Sequence, residues 1–118
     1  MIMIKEVGIR RCYMFKNLDF SPGIVVYDDF NIDKNIPLKE QFFSLKEDLF
    51  QVSYKNDMYL IDIGWYSDLN LSEKFRVVII KNYDWDAPIY SKKTKDLKQL
   101  DKIVKECAEI VRKILEEK

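Results

Sequence analysis

Two stretches of this chain hold side chains whose types and spacing invite chemistry. In Tyr83-Asp84-Trp85-Asp86-Ala87-Pro88 an indole stands between two carboxylates. That grouping suits the anchoring of a basic surface, because Trp and Tyr give large, rigid contacts at small entropic cost and flanking acids steer cations toward them. The same Trp suits a structural role, closing the core where a strand hands over to a helix, with its indole N–H on a backbone carbonyl and Pro88 stiffening the crossover. The two roles coexist, since the acids stay exposed in both. The second stretch is residues 58–66, MYLIDIGWY, where Asp62 interrupts an apolar run. An ionised carboxylate facing a closed core is costly, so Asp62 must be paired, protonated or open to a surface. Arg76, in the neighbouring strand on one register, is a candidate partner, which would make the pair structural. Catalysis by a carboxylate dyad needs a second acid in the same cleft. Asp68, Asp84 and Asp86 qualify only in that loops at the ends of a sheet meet.

Most other catalytic kits are missing. The chain has 118 residues, 0 His, 2 Cys and no Gly-rich phosphate loop, so the common kits for acid–base, metal and phosphate chemistry are largely missing. The expectation is a non-enzyme with no cofactor and no metal site. Cys12 and Cys107 lie far apart without CxxC or Cys/His company, which points to no metal or redox centre, and Cys107 reads as a small buried hydrophobe. Arg10-Arg11 and Lys92-Lys93 sit near Tyr13 and Tyr90, but 20 basic residues against 20 acidic ones leave no overall positive field for a phosphate backbone. Nucleic-acid binding is therefore not expected.

The charge is unevenly spread all the same. Residues 38–70 carry six acids against three lysines, a net of −3, and residues 91–118 carry nine Lys/Arg against six acids, a net of +3. An acidic middle would draw a basic partner, though solvated faces of either sign are ordinary. The amino terminus, MIMIKEVGIRRC, has too short an apolar run for a signal peptide, and no stretch approaches the ~18 apolar residues of a membrane span. A cytoplasmic protein with reduced thiols is the expectation, with no membrane partner.

These residues must be positioned by a small fold. No repeat, low-complexity tract or linker divides residues 1–118, so a single domain is expected. Residues 2–15 fit either strand or helix; 23–27 (GIVVY) read as a strand, 28–37 as an Asp/Asn loop and 38–45 as a short helix. Residues 49–54 (LFQVSY) and 58–66 flank the turn Lys55-Asn56-Asp57 and read as a hairpin. Period two places Tyr59, Ile61, Ile63 and Trp65 on the core face, with Leu60, Asp62, Gly64 and Tyr66 on a half-exposed one. After a polar loop at 67–74, residues 75–81 (FRVVIIK) suit a central strand covered on both faces.

The last helix has the clearest pattern. Leu97, Leu100, Val104, Cys107, Val111 and Ile114 recur at three- and four-residue steps, widened by Ile103, Ile110 and Leu115. Thr94 is placed to cap it, and Asp101–Lys105, Lys102–Glu106 and Glu109–Lys113 to pair along its outer face. The expected fold class is α+β: a single domain with a mainly antiparallel sheet of about four strands and a long carboxy-terminal amphipathic helix packed on one face.

From about Phe50 to Leu115, the order of hairpin, Gly64-Trp65-Tyr66, polar loop, Phe75-centred strand, Trp85 with Pro88 and amphipathic helix resembles the small immunity proteins of bacterial polymorphic-toxin and contact-dependent growth inhibition systems. The resemblance implies a non-catalytic protein that binds one cognate toxin domain, often a nuclease, and blocks it. On that basis Trp85, Asp84 and Asp86 would supply anchor and flanking charge, with Tyr66, Asp68, Asp62, Asp28 and Asp29 as further contacts. Two other classes stay open. One is an enzyme with carboxylate chemistry around Asp62, which would show as two converging acids, one with a raised pKa. The other is an adaptor or homodimer joined through a sheet edge or the last helix.

Overall fold

Alternation of apolar residues over three long runs, broken by left-handed turns, builds a single antiparallel sheet whose strands lie in chain order. The computed structural model describes residues 14–67 and 73–117. The strands are β1 (Ile24–Asp28), β2 (Phe50–Tyr54), β3 (Tyr59–Ser67), β4 (Glu73–Lys81) and β5 (Tyr90–Thr94), and the helix α1 is Leu97–Glu116. A short 3-10 helix, Leu38–Ser44, kinked at Gln41, precedes β2. The α+β expectation holds, with five strands among the described residues instead of about four. The unexpected one is β5, whose YSKKT lacks apolar alternation because it is an edge with exposed lysines. Most of residues 2–15, Cys12 and Asp68 lie outside the described residues.

β3 and β4 form the spine. They pair over nine residues, from Tyr59 opposite Lys81 to Ser67 opposite Glu73. On one face Tyr59, Ile61, Ile63, Phe75, Val77 and Ile79 are buried beneath Leu100, Ile103, Val104, Cys107, Ala108 and Val111 of α1. Each such side chain contributes roughly 1.5–3 kcal/mol on leaving water. Cys107 lies in this layer, and burial raises its thiol pKa to about 12. The other face is also closed at its centre, where Leu60, Val78 and Ile80 make a second buried cluster. This confirms β4 as a strand covered on both faces and corrects the half-exposed reading of β3, since Leu60, Asp62 and Gly64 are all buried.

The amino-terminal half supplies an aromatic end to the core. The Phe15 ring lies 5.0 Å from both Phe30 and Phe50, Phe30 lies 6.0 Å from Phe75, and Trp65 meets Phe75 edge-on at 4.9 Å. At the other extreme of the chain Arg112, near the end of α1, donates to the carbonyls of Asp19 (2.7 Å) and Ser21 (3.0 Å). The α1 cap differs from expectation. Asp96, not Thr94, is the N-cap and accepts from the Lys98 N–H, while the Thr94 hydroxyl accepts from the Asp96 N–H and donates to Gln99. Glu106 pairs with Lys92 of β5 at 3.4 Å and accepts from the Tyr90 hydroxyl, so it ties helix to sheet instead of pairing with Lys102.

Gly64 has a specific cause. The Leu49 N–H donates to the Ile63 carbonyl and the Trp65 N–H to the Lys46 carbonyl, so the chain between Lys46 and Leu49 bows over β3 at Gly64. A Cβ there would run into the Glu47 carbonyl, which is backbone and cannot rotate away. Gly64→Ala is therefore expected to cost about 2–3 kcal/mol, as overpacking does, read as a lowered denaturant midpoint; an unchanged midpoint would refute the account. Tyr54 gives the opposite sign. Its hydroxyl is buried with no hydrogen-bond partner among the described residues, and burial pushes its pKa up to about 12. Removing an unsatisfied buried polar group relieves its desolvation, so Tyr54→Phe is expected to be neutral or to stabilise by about 1 kcal/mol. A comparable loss would mean the hydroxyl is bonded.

Candidate functional site

Two turns meet at one end of the sheet. Lys55, Asn56 and Asp57, between β2 and β3, have φ of 50°, 53° and 70°, and Asn82 and Tyr83, after β4, have φ of 52° and 60°. Asn and Asp tolerate the left-handed region, whereas for Lys55 and Tyr83 it costs on the order of 1 kcal/mol each. Hydrogen bonds hold the turns in place. The Asn82 N–H donates to the Met58 carbonyl at 2.8 Å, and the Ile89 N–H returns to Ile79 at 2.9 Å, closing the 82–89 loop on the spine. Side chains add a second link: the Ser53 hydroxyl donates to one oxygen of Asp57 and the Tyr83 hydroxyl to the other at 2.9 Å. Those two bonds, Ser53's first, hold the Asp57 carboxyl below its ordinary pKa. The Tyr83 pKa is raised in return, chiefly by its bond to Asp57.

What this scaffold displays is apolar. Met58, Tyr83, Trp85 and Ile89 are 37%, 59%, 45% and 46% exposed. Asp84 and Asp86 are exposed beside them, with Asp57 below and Lys55 and Lys81 at the margin. An exposed aromatic cluster rimmed by charge, on turns that need no reordering, is the form a protein-docking surface takes. Trp85 thus does not close the core. That expectation fails because Tyr54 and Tyr59, paired across β2 and β3 and buried, already fill the core at this end.

The other predicted contact residues lie elsewhere. Tyr66 is seven residues along β3 from Tyr59, so about 24 Å from this rim at the rise of a strand. Asp28 pairs with Phe50 at that same far end, and Asp29 follows it. Asp29 is engaged internally, accepting from Lys46 at 2.7 Å and from Asn31 at 3.2 Å. Asp28 accepts from the Phe30 N–H. The single acidic, aromatic patch expected from the sequence is therefore divided, with 84–86 at one end and Tyr66, Asp28 and Asp29 at the other. Sequence reading missed Met58, Asp57 and Ile89. The turn chemistry of Lys55-Asn56-Asp57 was visible, but only the register brings it beside Tyr83.

Asp62 stands mid-strand on the face away from α1, 3% exposed, between Gln51 on β2 and Val78 on β4. The partner is not Arg76. Arg76 sits opposite Gly64, its guanidinium 5.4 Å from the centre of the Tyr66 ring, and the Gln51 amide donates to Asp62 at 2.8 Å. Burial raises the Asp62 pKa; the Gln51 bond opposes this, Asp48 adds to it and Arg76 counters it. Among the described residues no group of three or more His, Cys, Asp and Glu could hold a metal ion, and no helix is long and apolar enough to cross a membrane.

The Asp62 environment has a signed consequence. A carboxyl raised in the folded state binds its proton more tightly than in the unfolded chain, so stability is lost as pH climbs above the ordinary value of 3.8 through the folded one. Asp62→Asn keeps the Gln51 bond and removes the charge. The variant is expected to be more stable than the parent at pH 7, with the difference closing below pH 3.8; denaturant midpoints across that range would test it, and a less stable variant at pH 7 would contradict it. Comparison with protein-family models, with curated proteins and with solved structures finds no match, so the chemistry of these residues is the ground on which function is argued.

Proposed function

We propose that this chain is a non-catalytic immunity protein that binds a cognate bacterial toxin domain of the nuclease kind and neutralises it, without nucleic-acid or membrane partners of its own. One observation carries the reading: Tyr83 and Trp85 stand exposed beside Asp84 and Asp86 on the 82–89 loop, which backbone bonds tie to Met58 and Ile79. Rigid aromatics lose little entropy on docking, and such residues dominate interface energetics. Carboxylates beside them attract a surface that is basic because it engages phosphate, and steering of that kind speeds encounter. The division of the predicted contacts narrows the proposal to Trp85, Asp84 and Asp86, with Tyr83, Met58 and Ile89 added.

The carboxylate-enzyme reading has one point in its favour, since the raised Asp62 feels the charge of Asp48. Against it, Asp62 is 3% exposed, which leaves a substrate no approach to its carboxyl. The docking rim has no such difficulty.

The test takes the protein encoded immediately upstream as the candidate toxin. Co-expression with this chain should restore growth of cells making the toxin, and the purified pair should form a stable complex. Trp85→Ala should weaken binding by about 30-fold or more, the scale of an interface hot spot. Replacing Asp84 and Asp86 with Ala should slow association and flatten its dependence on salt. Absence of protection and of a complex would overturn the function; a tight complex with association unchanged at low salt would overturn the site.

A further inference from the structure

We propose that Asp57 is the positioning residue of the docking rim: its carboxylate tethers the Tyr83 hydroxyl and so fixes the direction of the exposed ring before any partner arrives. The inference rests on the reading of the rim as a docking surface and adds to it a residue of the neighbouring hairpin. The main chain does not need this tether. Asn82 already donates to the Met58 carbonyl and Ile89 to the Ile79 carbonyl, which fastens both ends of the 82–89 loop. The Tyr83 side chain is a different matter, since it is 59% exposed and has little packing to select a rotamer. Its hydroxyl has one acceptor among the described residues, an oxygen of Asp57 at 2.9 Å.

Asp57 is itself anchored to the sheet. Its other oxygen accepts from the Ser53 hydroxyl, and its own N–H donates back to Ser53 Oγ at 3.1 Å. Ser53 is 8% exposed and pairs with Leu60 across β2 and β3. Support therefore runs from the sheet through Ser53 and Asp57 to the ring. Because the two bonds hold the carboxyl below its ordinary pKa, it is ionised at neutral pH, and a carboxylate accepts at both oxygens, as two hydroxyl donors require. An untethered exposed ring would lose its rotamer freedom on docking, whereas a tethered one has lost it on folding. Asp57 thus acts on docking through Tyr83.

Nuclear magnetic resonance of the full chain alone reads the tether first. Three-bond couplings about the Tyr83 Cα–Cβ bond should report one rotamer in the unmodified protein. They should report averaged rotamers in Asp57→Gly, where glycine tolerates the φ of 70°, and in Tyr83→Phe, which keeps the ring and deletes its hydroxyl. Amide exchange at Ile61 and Val77, in the β3–β4 ladder, should not change; faster exchange there would make Asp57 a residue of general stability and overturn its positioning role. With the candidate toxin, each variant should weaken binding by about 3- to 10-fold, the scale of ordering one side chain, and the double variant no more than either alone. Losses that multiply would mean direct contact with the partner and overturn the proposal. A ring held in one rotamer without Asp57, or released with binding unchanged, overturns it too while leaving the toxin-binding reading intact; no complex even with the parent chain overturns both. Tyr83→Phe alters one hydroxyl on an exposed ring and carries the test by itself if Asp57→Gly does not fold.

Discussion

The nine-residue ladder between β3 and β4 is the constraint on which the remaining structure depends. Because side chains alternate along each strand, one register decides both faces at once. It sets Ile61, Ile63, Val77 and Ile79 under α1 and Leu60, Val78 and Ile80 on the other side. A slip of one residue would exchange these sets and expose Asp62 and Arg76 to the helix layer. The two-sided burial is therefore also what specifies the register. Everything functional is placed relative to this ladder: the rim follows Lys81 at one end, and the aromatic cluster around Phe75 closes the other.

Much of this was legible in the chain. The α1 stripe, the hairpin across Lys55-Asn56-Asp57 and the continuous apolar run of β4 each have a period or a turn chemistry that a short window reveals. β5 has neither, since an edge strand carrying lysines on a solvated surface resembles a loop until its partner is known. The roles of Phe15, Phe20, Phe30 and Ile32 were hidden for a related reason. They enter the core from irregular segments, where no periodicity exists to announce burial. The half-exposed reading of Leu60 and Gly64 failed because alternation says which face a residue occupies, not what covers that face.

The site shows the same division between local and long-range information. An aromatic between two acids, followed by Ala-Pro, is a local signal, and the residues are exposed together as that signal implied. Grouping Tyr66, Asp28 and Asp29 with them required knowing the ends of strands, and composition in a net-acidic middle cannot supply that. Asp29 illustrates the cost of counting charges: Lys46 answers it at 2.7 Å, so its contribution to a field outside the protein is small. Conversely, Asp57 looked like turn chemistry alone, yet its two oxygens join the hairpin to Tyr83.

Arg112 adds a temporal dimension. The five strands follow one another in the sheet and α1 packs on their face, so most of the fold can assemble while the chain is being made, in order of synthesis. The clasp from Arg112 to the carbonyls of Asp19 and Ser21 spans more than ninety residues. It cannot close until the final turns of α1 have left the ribosome. The segment leading into β1 thus receives this support only after the helix has been made.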